Sequence, residues 1–244
     1  MPKFGLIGKS LSHSFSQQYF TEKFKTLELE DHSYGLFELE NISEITSLLK
    51  NNSFKGLNVT IPYKQTVIPF LDHLSPAAAD LGAVNTIVFR NGETWGHNTD
   101  IIGFAKSIKP FFAMHHERAL ILGDGGAAKA VKYVLNELGV RCLTVSRRPS
   151  GMQQIGYNEL HEDGLKHWNL IINCTPLGTY PNTGECPNIP YFGIGDQHFC
   201  IDLIYNPAES MFLSKAKQQG AMVLNGLDML RFQADASWNL WNKD

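Results

Sequence analysis

The chain has 244 residues, enough to bury one large core or two smaller ones. Its 43% hydrophobic and 18% charged residues are those of an ordinary globular protein. A net charge of −3 without a basic run gives no electrostatic footprint for nucleic acid, and no apolar stretch reaches the ~18 residues that a membrane span needs. We therefore expect small-molecule ligands, with no nucleic-acid or membrane partner.

The N-terminus and the cysteines predict a cytoplasmic location. The first eight residues are typical of a strand that runs into a glycine turn, and they lack the apolar region and cleavage site of a signal peptide. The four cysteines form no C-x-x-C pair and have no histidine at zinc-ligand spacing, so we expect free thiols and no metal. The oligomeric state stays open between monomer and homodimer.

The first hundred residues alternate strand and helix patterns. The predicted elements are strand 3–7, helix 16–25, strand 33–39, helix 42–49, strand 57–61, a short helix from Ser75-Pro76, strand 84–89, strand 94–96 and a helix capped by Thr99-Asp100 that runs to 108. Asn91-Gly92 is a two-residue hairpin signature, which predicts a mixed sheet.

The segment around Lys64 is the most informative part of this half. Pro62 ends the strand, because it has no N–H to donate, and we predict that it begins a helix. Lys64 would then lie in the first helical turn, where the helix dipole disfavours a cation. A lysine placed there suggests a functional site, the alternative being an ordinary solvated strand end.

After Pro110 the pattern changes to regular βαβ units. Short continuous apolar runs predict parallel strands at 119–122, 142–145, 170–173, 200–203 and 222–224, with helices 126–138 and 211–219. Residues 179–195 are predicted to be a surface loop, and residues 227–241 an amphipathic helix. The predicted fold is therefore α/β with two domains: a mixed-sheet substrate domain (1–100 plus 226–244, to which the C-terminal helix returns) and a Rossmann-like domain (101–225) with a doubly wound parallel sheet.

A glycine turn in the second half predicts a dinucleotide site. Gly123, Gly125 and the small Ala128 satisfy the G-x-G-x-x-G/A spacing between a strand and a helix, where the N-terminal N–H groups around Gly126 and Ala127 face a pyrophosphate. The next strand ends in Ser146-Arg147-Arg148 and has no carboxylate for a ribose hydroxyl. Arginine instead binds a 2′-phosphate, so NADP is preferred over NAD, the alternative being a solvated basic turn.

Polar clusters also lie at strand ends in the first half. Ser14 and Ser16, in His13-Ser14-Phe15-Ser16, open a helix where two hydroxyls could bind a carboxylate, although simple N-capping is the alternative. Asn85 begins a strand and Asp100 a helix. We expect all these clusters at the edges of one sheet.

Taken together, these strings closely resemble the shikimate dehydrogenase family. The matching strings are Gly8 through Ser16, Asn58-Val59-Thr60-x-Pro62-x-Lys64, Gly82 through Thr86, Asn98-Thr99-Asp100-x-x-Gly103, Gly123-x-Gly125-Gly126-Ala127, Asn173-Cys174-Thr175-Pro176-x-Gly178, Asp202-x-x-Tyr205-x-Pro207 and Gly226-Leu227-x-Met229-Leu230-x-x-Gln233. They follow the family order over nearly the whole chain.

The resemblance implies NADPH-dependent reduction of 3-dehydroshikimate to shikimate, in aromatic amino-acid biosynthesis. It implies a catalytic pair, Lys64 as acid/base and Asp100 as its partner. The implied substrate contacts are Ser14, Ser16, Asn58, Thr60, Asn85, Tyr205 and Gln233, and the implied cofactor contacts are Gly123, Gly125, Gly126, Ala127, Ser146, Arg147, Arg148, Thr175 and Gly226. Ser146 departs from the asparagine that usually begins the family's adenosine-phosphate clamp.

Three alternatives remain beside this interpretation. A quinate/shikimate dehydrogenase that prefers NAD would share the motifs, although the arginines argue for NADP. A nonenzymatic ligand sensor on the same scaffold would not need the Lys64–Asp100 pair, which is present. A methylene-tetrahydrofolate dehydrogenase architecture explains the cofactor domain but not the paired serines or the Asn-x-Thr string.

Overall fold

The computed structural model describes residues 3–12, 14–50 and 53–243, which divide into two compact units. The first unit runs through Ile102 and resumes at Gln233, and the second is Gly103–Phe232. None of the helices in these described ranges is long and apolar enough to cross a membrane. The domain boundaries at 100/101 and 225/226, and the roles assigned to the domains, stay predictions.

The first unit contains a six-stranded mixed sheet. Its strands are β1 (Lys3–Gly8), β2 (Ser33–Glu38), β3 (Phe54–Val59), β4 (His73–Leu74), β5 (Thr86–Arg90) and β6 (Glu93–His97), in the order β2-β1-β3-β5-β6-β4. β1 pairs in parallel with β2 and β3, whereas β5 runs antiparallel to β3 and β6. Asn91 and Gly92 have φ of 53° and 82°, as the predicted hairpin turn requires. The mixed sheet is confirmed.

Two helices of this unit begin at capping side chains. The helices that lie wholly within the unit are α1 (Phe15–Thr26), α2 (Ile45–Leu49) and α3 (Pro76–Leu81), whereas α4 (Asp100–Ile108) begins in this unit and continues into the second. Ser14 accepts a hydrogen bond from the Gln17 N–H at the start of α1, and Ser75 accepts one from the Ala78 N–H at α3. A 3₁₀ turn, Ile42–Glu44, precedes α2, so the helix predicted at 42–49 is split.

The prediction of a helix that begins at Pro62 is wrong. β3 ends at Val59, and residues 61–67 form consecutive turns. The Lys64 carbonyl accepts its hydrogen bond from the Val84 N–H at 2.7 Å, so this carbonyl does not support a helical turn. Because there is no helix at Lys64, the argument from an unfavourable helix dipole is wrong as well.

The second unit contains a six-stranded, wholly parallel sheet. Its strands are β7 (Arg118–Leu122), β8 (Arg141–Val145), β9 (Gln154–Ile155), β10 (Leu170–Asn173), β11 (Phe199–Asp202) and β12 (Met222–Leu224), in the order β12-β11-β10-β7-β8-β9. Its helices are α5 (Gly126–Glu137), α6 (Glu162–Leu165) and α7 (Met211–Gln218). The strand order reverses between β7 and β10, and ligands of doubly wound sheets bind at the carboxyl ends of such strands.

Part of the predicted surface loop is buried. Residues 181–185 are exposed, but Ile189 and Ile194 are 6% and 5% exposed and belong to the core that contains Phe212. The prediction of a surface loop over 179–195 is therefore wrong for its second half, where isolated apolar residues cover the sheet.

The two-residue strands β4 and β9 and the short α6 were not predicted, because elements this short carry no periodic pattern.

The last helix, α8 (Leu227–Trp241), belongs to the first unit from Gln233 onward. Trp241 packs on β3, where a Cβ added to Gly56 would lie 2.0 Å from the indole. The indole Nε1 donates a hydrogen bond to the Ile87 carbonyl at 3.0 Å. The predicted return of the C-terminal helix to the mixed-sheet unit is confirmed.

Candidate active site

Lys64 and Asp100 form an ion pair in the first unit. The Lys64 Nζ donates a hydrogen bond to Asp100 Oδ2 at 2.6 Å, and the two side chains are 19% and 9% exposed. Lys64 lies in the turns after β3, and Asp100 is the first residue of α4. An ammonium group has three donors, so two of the three on Lys64 remain for other oxygen atoms. The pair can therefore hold and protonate a ligand oxygen.

Asn85 fixes the orientation of the Asp100 carboxylate. Its Nδ2 donates to Asp100 Oδ1 at 2.9 Å, and its Oδ1 accepts the Thr99 backbone N–H at 2.7 Å. Because a backbone N–H can only donate, the amide orientation is determined. Asn98 adds a further constraint, since its Oδ1 accepts the Asp100 N–H at 3.1 Å. Both oxygens of Asp100 thus have fixed partners.

A buried polar network lies behind Asn85 and consists of Asn58, Thr86, Thr99 and Ser237. Thr86, Thr99 and Ser237 are completely buried. The Ser237 hydroxyl on α8 lies 2.8 Å from the Thr86 hydroxyl and 3.2 Å from the Thr99 hydroxyl, and it donates to the Gln233 carbonyl at 3.0 Å. This network links α8 to β5 and to the segment that carries Asp100.

Asn58 uses its side chain within the protein. Its Oδ1 accepts from the Tyr34 hydroxyl at 2.8 Å, and its Nδ2 donates to Ser237 Oγ at 3.0 Å. Burial raises the pKa of Tyr34 far above its usual value, so Tyr34 stays a neutral donor. The hydrogen bonds assign Asn58 to the buried polar network, and its predicted substrate contact stays a prediction.

The other predicted substrate residues of the first unit are less constrained. Ser14 accepts the Gln17 N–H at 3.4 Å, which leaves its own O–H available as a donor, and Ser16 is the second residue of α1. The Thr60 hydroxyl has no hydrogen bond within the described ranges. Gln233 Oε1 accepts from the Thr99 hydroxyl at 3.4 Å. His13, of the same predicted motif as the serines, lies outside the described residues.

The predicted cofactor residues and Tyr205 belong to the second unit. Burial raises the pKa of Tyr205 above its usual value, which keeps the phenol neutral. A Cβ on Gly226 would lie 2.0 Å from the Leu203 carbonyl oxygen, so this glycine allows two backbone segments to approach closely. Its predicted cofactor contact stays a prediction.

The glycine turn after β7 fits an anionic dinucleotide. Gly123 has a φ of 102°, and a Cβ there would lie 3.1 Å from Thr175 Cγ2. Gly125 has an ordinary φ of −73°, and an added Cβ would meet no atom within 4 Å. No side chain caps α5, so the N–H groups of its first turn, including those of Gly126 and Ala127, are available to phosphate oxygens.

Thr175 is held at the point where the strand order reverses. Its N–H and its hydroxyl both donate to Asn173 Oδ1, at 3.0 Å and 2.6 Å. Asn173 Nδ2 donates in turn to Asp202 Oδ1 at 3.0 Å, and Asp202 also accepts hydrogen bonds from Ser210 and the Ile204 N–H. Asp202 is fully buried, and its burial raises its pKa to about 6. This carboxylate organises the loops after β10 and β11.

The end of β8 presents two arginines. Arg147 and Arg148 are exposed, and no ion pair within the described ranges involves either of them. Ser146 is buried; its hydroxyl donates to Asp124 Oδ2 at 2.7 Å and accepts the Arg148 N–H at 3.1 Å. The arginines can attract a phosphate, whereas Ser146 already has two partners within the protein.

Several residues of these networks were not found from the sequence. Ser237 interrupts the apolar face of α8 between Ala234 and Trp238, and such an interruption signals a buried polar contact. Asp124 occupies the variable position of the glycine motif, to which the spacing rule assigns no role. Asp202 was matched only as part of the family string.

The chain is similar to known proteins over nearly its whole length. A model described as the shikimate dehydrogenase substrate binding domain matches residues 6–87. A shikimate dehydrogenase (NADP(+)) of Carboxydothermus hydrogenoformans is 37% identical, and the alignment covers 97% of this chain and 90% of that protein. The chain belongs to the shikimate dehydrogenase family.

Solved structures of the shikimate dehydrogenase family and of a quinate enzyme have the same fold. The shikimate 5-dehydrogenase of Thermus thermophilus, in complex with NADP(H) and shikimate, has a TM-score of 0.88 at 30% identity and covers 99% of this chain and 94% of that one. A quinate dehydrogenase of Corynebacterium glutamicum, in complex with NAD, has a TM-score of 0.87 at 26% identity and covers 98% and 93%.

Proposed function

We propose that this protein is an NADP-dependent shikimate dehydrogenase, which reduces 3-dehydroshikimate to shikimate reversibly in aromatic amino-acid biosynthesis. The observation that carries the proposal is the partly buried Lys64–Asp100 ion pair, whose carboxylate Asn85 orients. The curated relative of the same activity, aligned over 97% of the chain, supports it. The paired serines at the start of α1 supply hydroxyl donors for the substrate carboxylate.

In the reducing direction, Lys64 acts as the general acid. When bound, NADPH would supply the hydride for the C3 carbon of the substrate. The Lys64 ammonium donates a hydrogen bond to the C3 oxygen, stabilises the negative charge that develops there, and transfers a proton to it as the hydroxyl forms. Asp100 holds Lys64 in place through Oδ2. Since Lys64 is 19% exposed, solvent can return the proton to it.

The remaining residues bind and orient the substrate and the cofactor. Ser14 and Ser16 hold the substrate carboxylate, while Thr60, Asn85, Tyr205 and Gln233 contact its hydroxyl groups, and Asn58 supports the wall of the site. The first turn of α5, with Gly123, Gly125, Gly126 and Ala127, binds the pyrophosphate of NADP. Arg147 and Arg148 bind the 2′-phosphate, and Thr175 and Gly226 line the nicotinamide end.

The test is a spectrophotometric assay at 340 nm with purified protein. We expect NADPH oxidation that depends on 3-dehydroshikimate, and NADP⁺ reduction that depends on shikimate. The competing candidate is a quinate/shikimate dehydrogenase that prefers NAD, which the NAD-bound quinate dehydrogenase neighbour favours. A kcat/KM higher for quinate than for shikimate, or for NAD⁺ than for NADP⁺, would support that candidate. No turnover of either substrate would refute both.

We further propose that the enzyme works in the cytoplasm, as a monomer or homodimer, with small-molecule ligands and without a nucleic-acid or membrane partner. The net charge of −3 supports the absence of a nucleic-acid partner. Light scattering after size-exclusion chromatography tests the oligomeric state, and fractionation of cells tests the location.

A further inference from the structure

A carboxylate lies inside the glycine turn of the second unit. Asp124 stands between Gly123 and Gly125 and is exposed. Its Oδ2 accepts a hydrogen bond from Ser146, the buried residue at the end of β8, at 2.7 Å. The Ser146 hydroxyl is itself held by the Arg148 N–H at 3.1 Å. The side chain of Asp124 is therefore fixed toward the carboxyl end of β8.

The charge of Asp124 is not neutralised by an ion pair. Within the described ranges, no lysine, arginine or histidine nitrogen lies within 4.0 Å of this carboxylate. Arg147 and Arg148 are likewise outside any ion pair there, although they follow the serine that holds Asp124. One negative and two positive side chains thus lie at the same edge of the sheet, each without a charged partner.

This edge is where a dinucleotide fold distinguishes its two cofactors. In NAD sites a carboxylate at the end of the second strand accepts the ribose 2′-hydroxyl, and in NADP sites an arginine accommodates the 2′-phosphate. The segment after β8, Ser146-Arg147-Arg148-Pro149, has no carboxylate of its own. The hydrogen bond from Ser146 brings Asp124 to this place from the neighbouring turn.

We propose that Asp124, positioned by Ser146, is a cofactor-specificity residue that opposes the two arginines. It accepts a hydrogen bond from the ribose 2′-hydroxyl of NAD and repels the 2′-phosphate of NADP. The chain therefore binds both cofactors, and its preference for NADP is smaller than Arg147 and Arg148 alone would give. This inference rests on the proposed function, since it concerns the cofactor of that reaction.

The test measures the dissociation constants of NADP⁺ and NAD⁺ by isothermal titration calorimetry, without substrate. Asp124→Asn removes the charge, and we expect NADP⁺ to bind about three- to sevenfold more tightly, as a unit charge roughly 7 Å from a singly to doubly charged phosphate in a watery site implies. Asp124→Ala also removes the acceptor, so NAD⁺ should bind about three- to tenfold more weakly. The gain in NADP⁺ affinity should be smaller at about 0.5 M salt, because salt screens exposed charges.

The matched control is Asp196→Asn. Asp196 is also exposed in the second unit, but it precedes β11 and so lies toward the amino edge of the parallel sheet, opposite the edge where β7 and β8 end. We expect no change in the ratio of the two dissociation constants. Ser146→Ala, which frees Asp124, should shift the ratio toward NADP⁺ by less than Asp124→Asn does.

The outcomes separate this inference from the proposed function. Suppose that the unaltered protein binds both cofactors, and that Asp124→Asn changes the ratio of dissociation constants no more than Asp196→Asn does. The role of Asp124 is then overturned, while the proposed function stands. If the unaltered protein binds neither cofactor, both are overturned. Thermal melts of each variant verify that the compared proteins are folded.

Discussion

The candidate substrate site of the first unit and the candidate cofactor site of the second are built from different materials. The first unit uses buried side chains: Asp100 has partners on both oxygens, and Thr86, Thr99 and Ser237 behind it are fully buried. The second unit uses an uncapped helix N-terminus and two exposed arginines that form no ion pair with any residue the structure describes. A group that moves a proton must be held in one geometry, whereas a polyanion is bound well by several fixed N–H dipoles.

This contrast predicts that substitutions in the first unit change kcat, and that substitutions in the second change cofactor affinity.

Removing the Lys64 amine is expected to have the largest effect. Lys64→Ala and the more isosteric Lys64→Met should lower kcat about a hundred- to ten-thousandfold, because the proton donor is lost. The affinity for shikimate, measured by calorimetry, should fall far less. Lys55→Ala, which removes an exposed lysine from β3, is the control and should leave kcat unchanged. An unchanged kcat in Lys64→Met would refute the assignment.

Asp202 tests whether the second unit also depends on a buried carboxylate. Burial raises the pKa of Asp202 from 3.8 to about 6. The folded protein therefore binds the carboxyl proton of Asp202 more tightly than the unfolded chain does. The stability that this tighter binding gives is complete below pH 3.8 and is lost as the pH rises to about 6. The loss is roughly 3 kcal/mol.

Asp202→Asn cannot ionise, and its amide can still serve the Asn173, Ile204 and Ser210 partners. Urea unfolding of both proteins between about pH 4 and 7 should show the variant gaining stability relative to the parent as the pH rises. A difference in unfolding free energy that does not vary with pH would contradict this expectation.

Gly125 tests the backbone side of the comparison. An added Cβ meets no protein atom within 4 Å, so Gly125→Ala should fold normally while its methyl group obstructs the approach of the pyrophosphate. We expect NADP⁺ to bind about ten- to a hundredfold more weakly. Gly184→Ala, where an added Cβ also meets nothing within 4 Å, is the control in calorimetry and thermal melts. Unaltered NADP⁺ affinity in Gly125→Ala would place the phosphates elsewhere.

Ser237 gives the smallest expected effect and shows how far the buried polar network supports Asp100. Ser237→Ala leaves hydrogen-bonding groups of Asn58 and Thr86 without one partner, which should cost about 1–2 kcal/mol of unfolding free energy. We expect kcat to fall less than tenfold, because Asn85 still holds Asp100 directly. Ser47→Ala, at an exposed serine with a similar bond to its own helix, should change neither quantity. A large loss of kcat with little loss of stability would give Ser237 a direct role in the reaction.

The sequence by itself determined the mixed sheet, the parallel sheet and the glycine turn. Each follows from local signals that need no long-range contact: the Asn91-Gly92 turn, the continuous apolar strands and the G-x-G spacing. The family strings also singled out Lys64 and Asp100, whose side chains form an ion pair in the structure.

Tertiary structure alone decided how those residues are held. The turns at Lys64 replace a helix because the N–H of Val84, twenty residues later, donates a hydrogen bond to the Lys64 carbonyl. Ser237 reaches Asn58 across 179 positions of sequence, and Ser146 fixes Asp124 across 22. Local patterns carry no record of such partners, since a hydrogen bond between distant segments forms only after both have been folded into place.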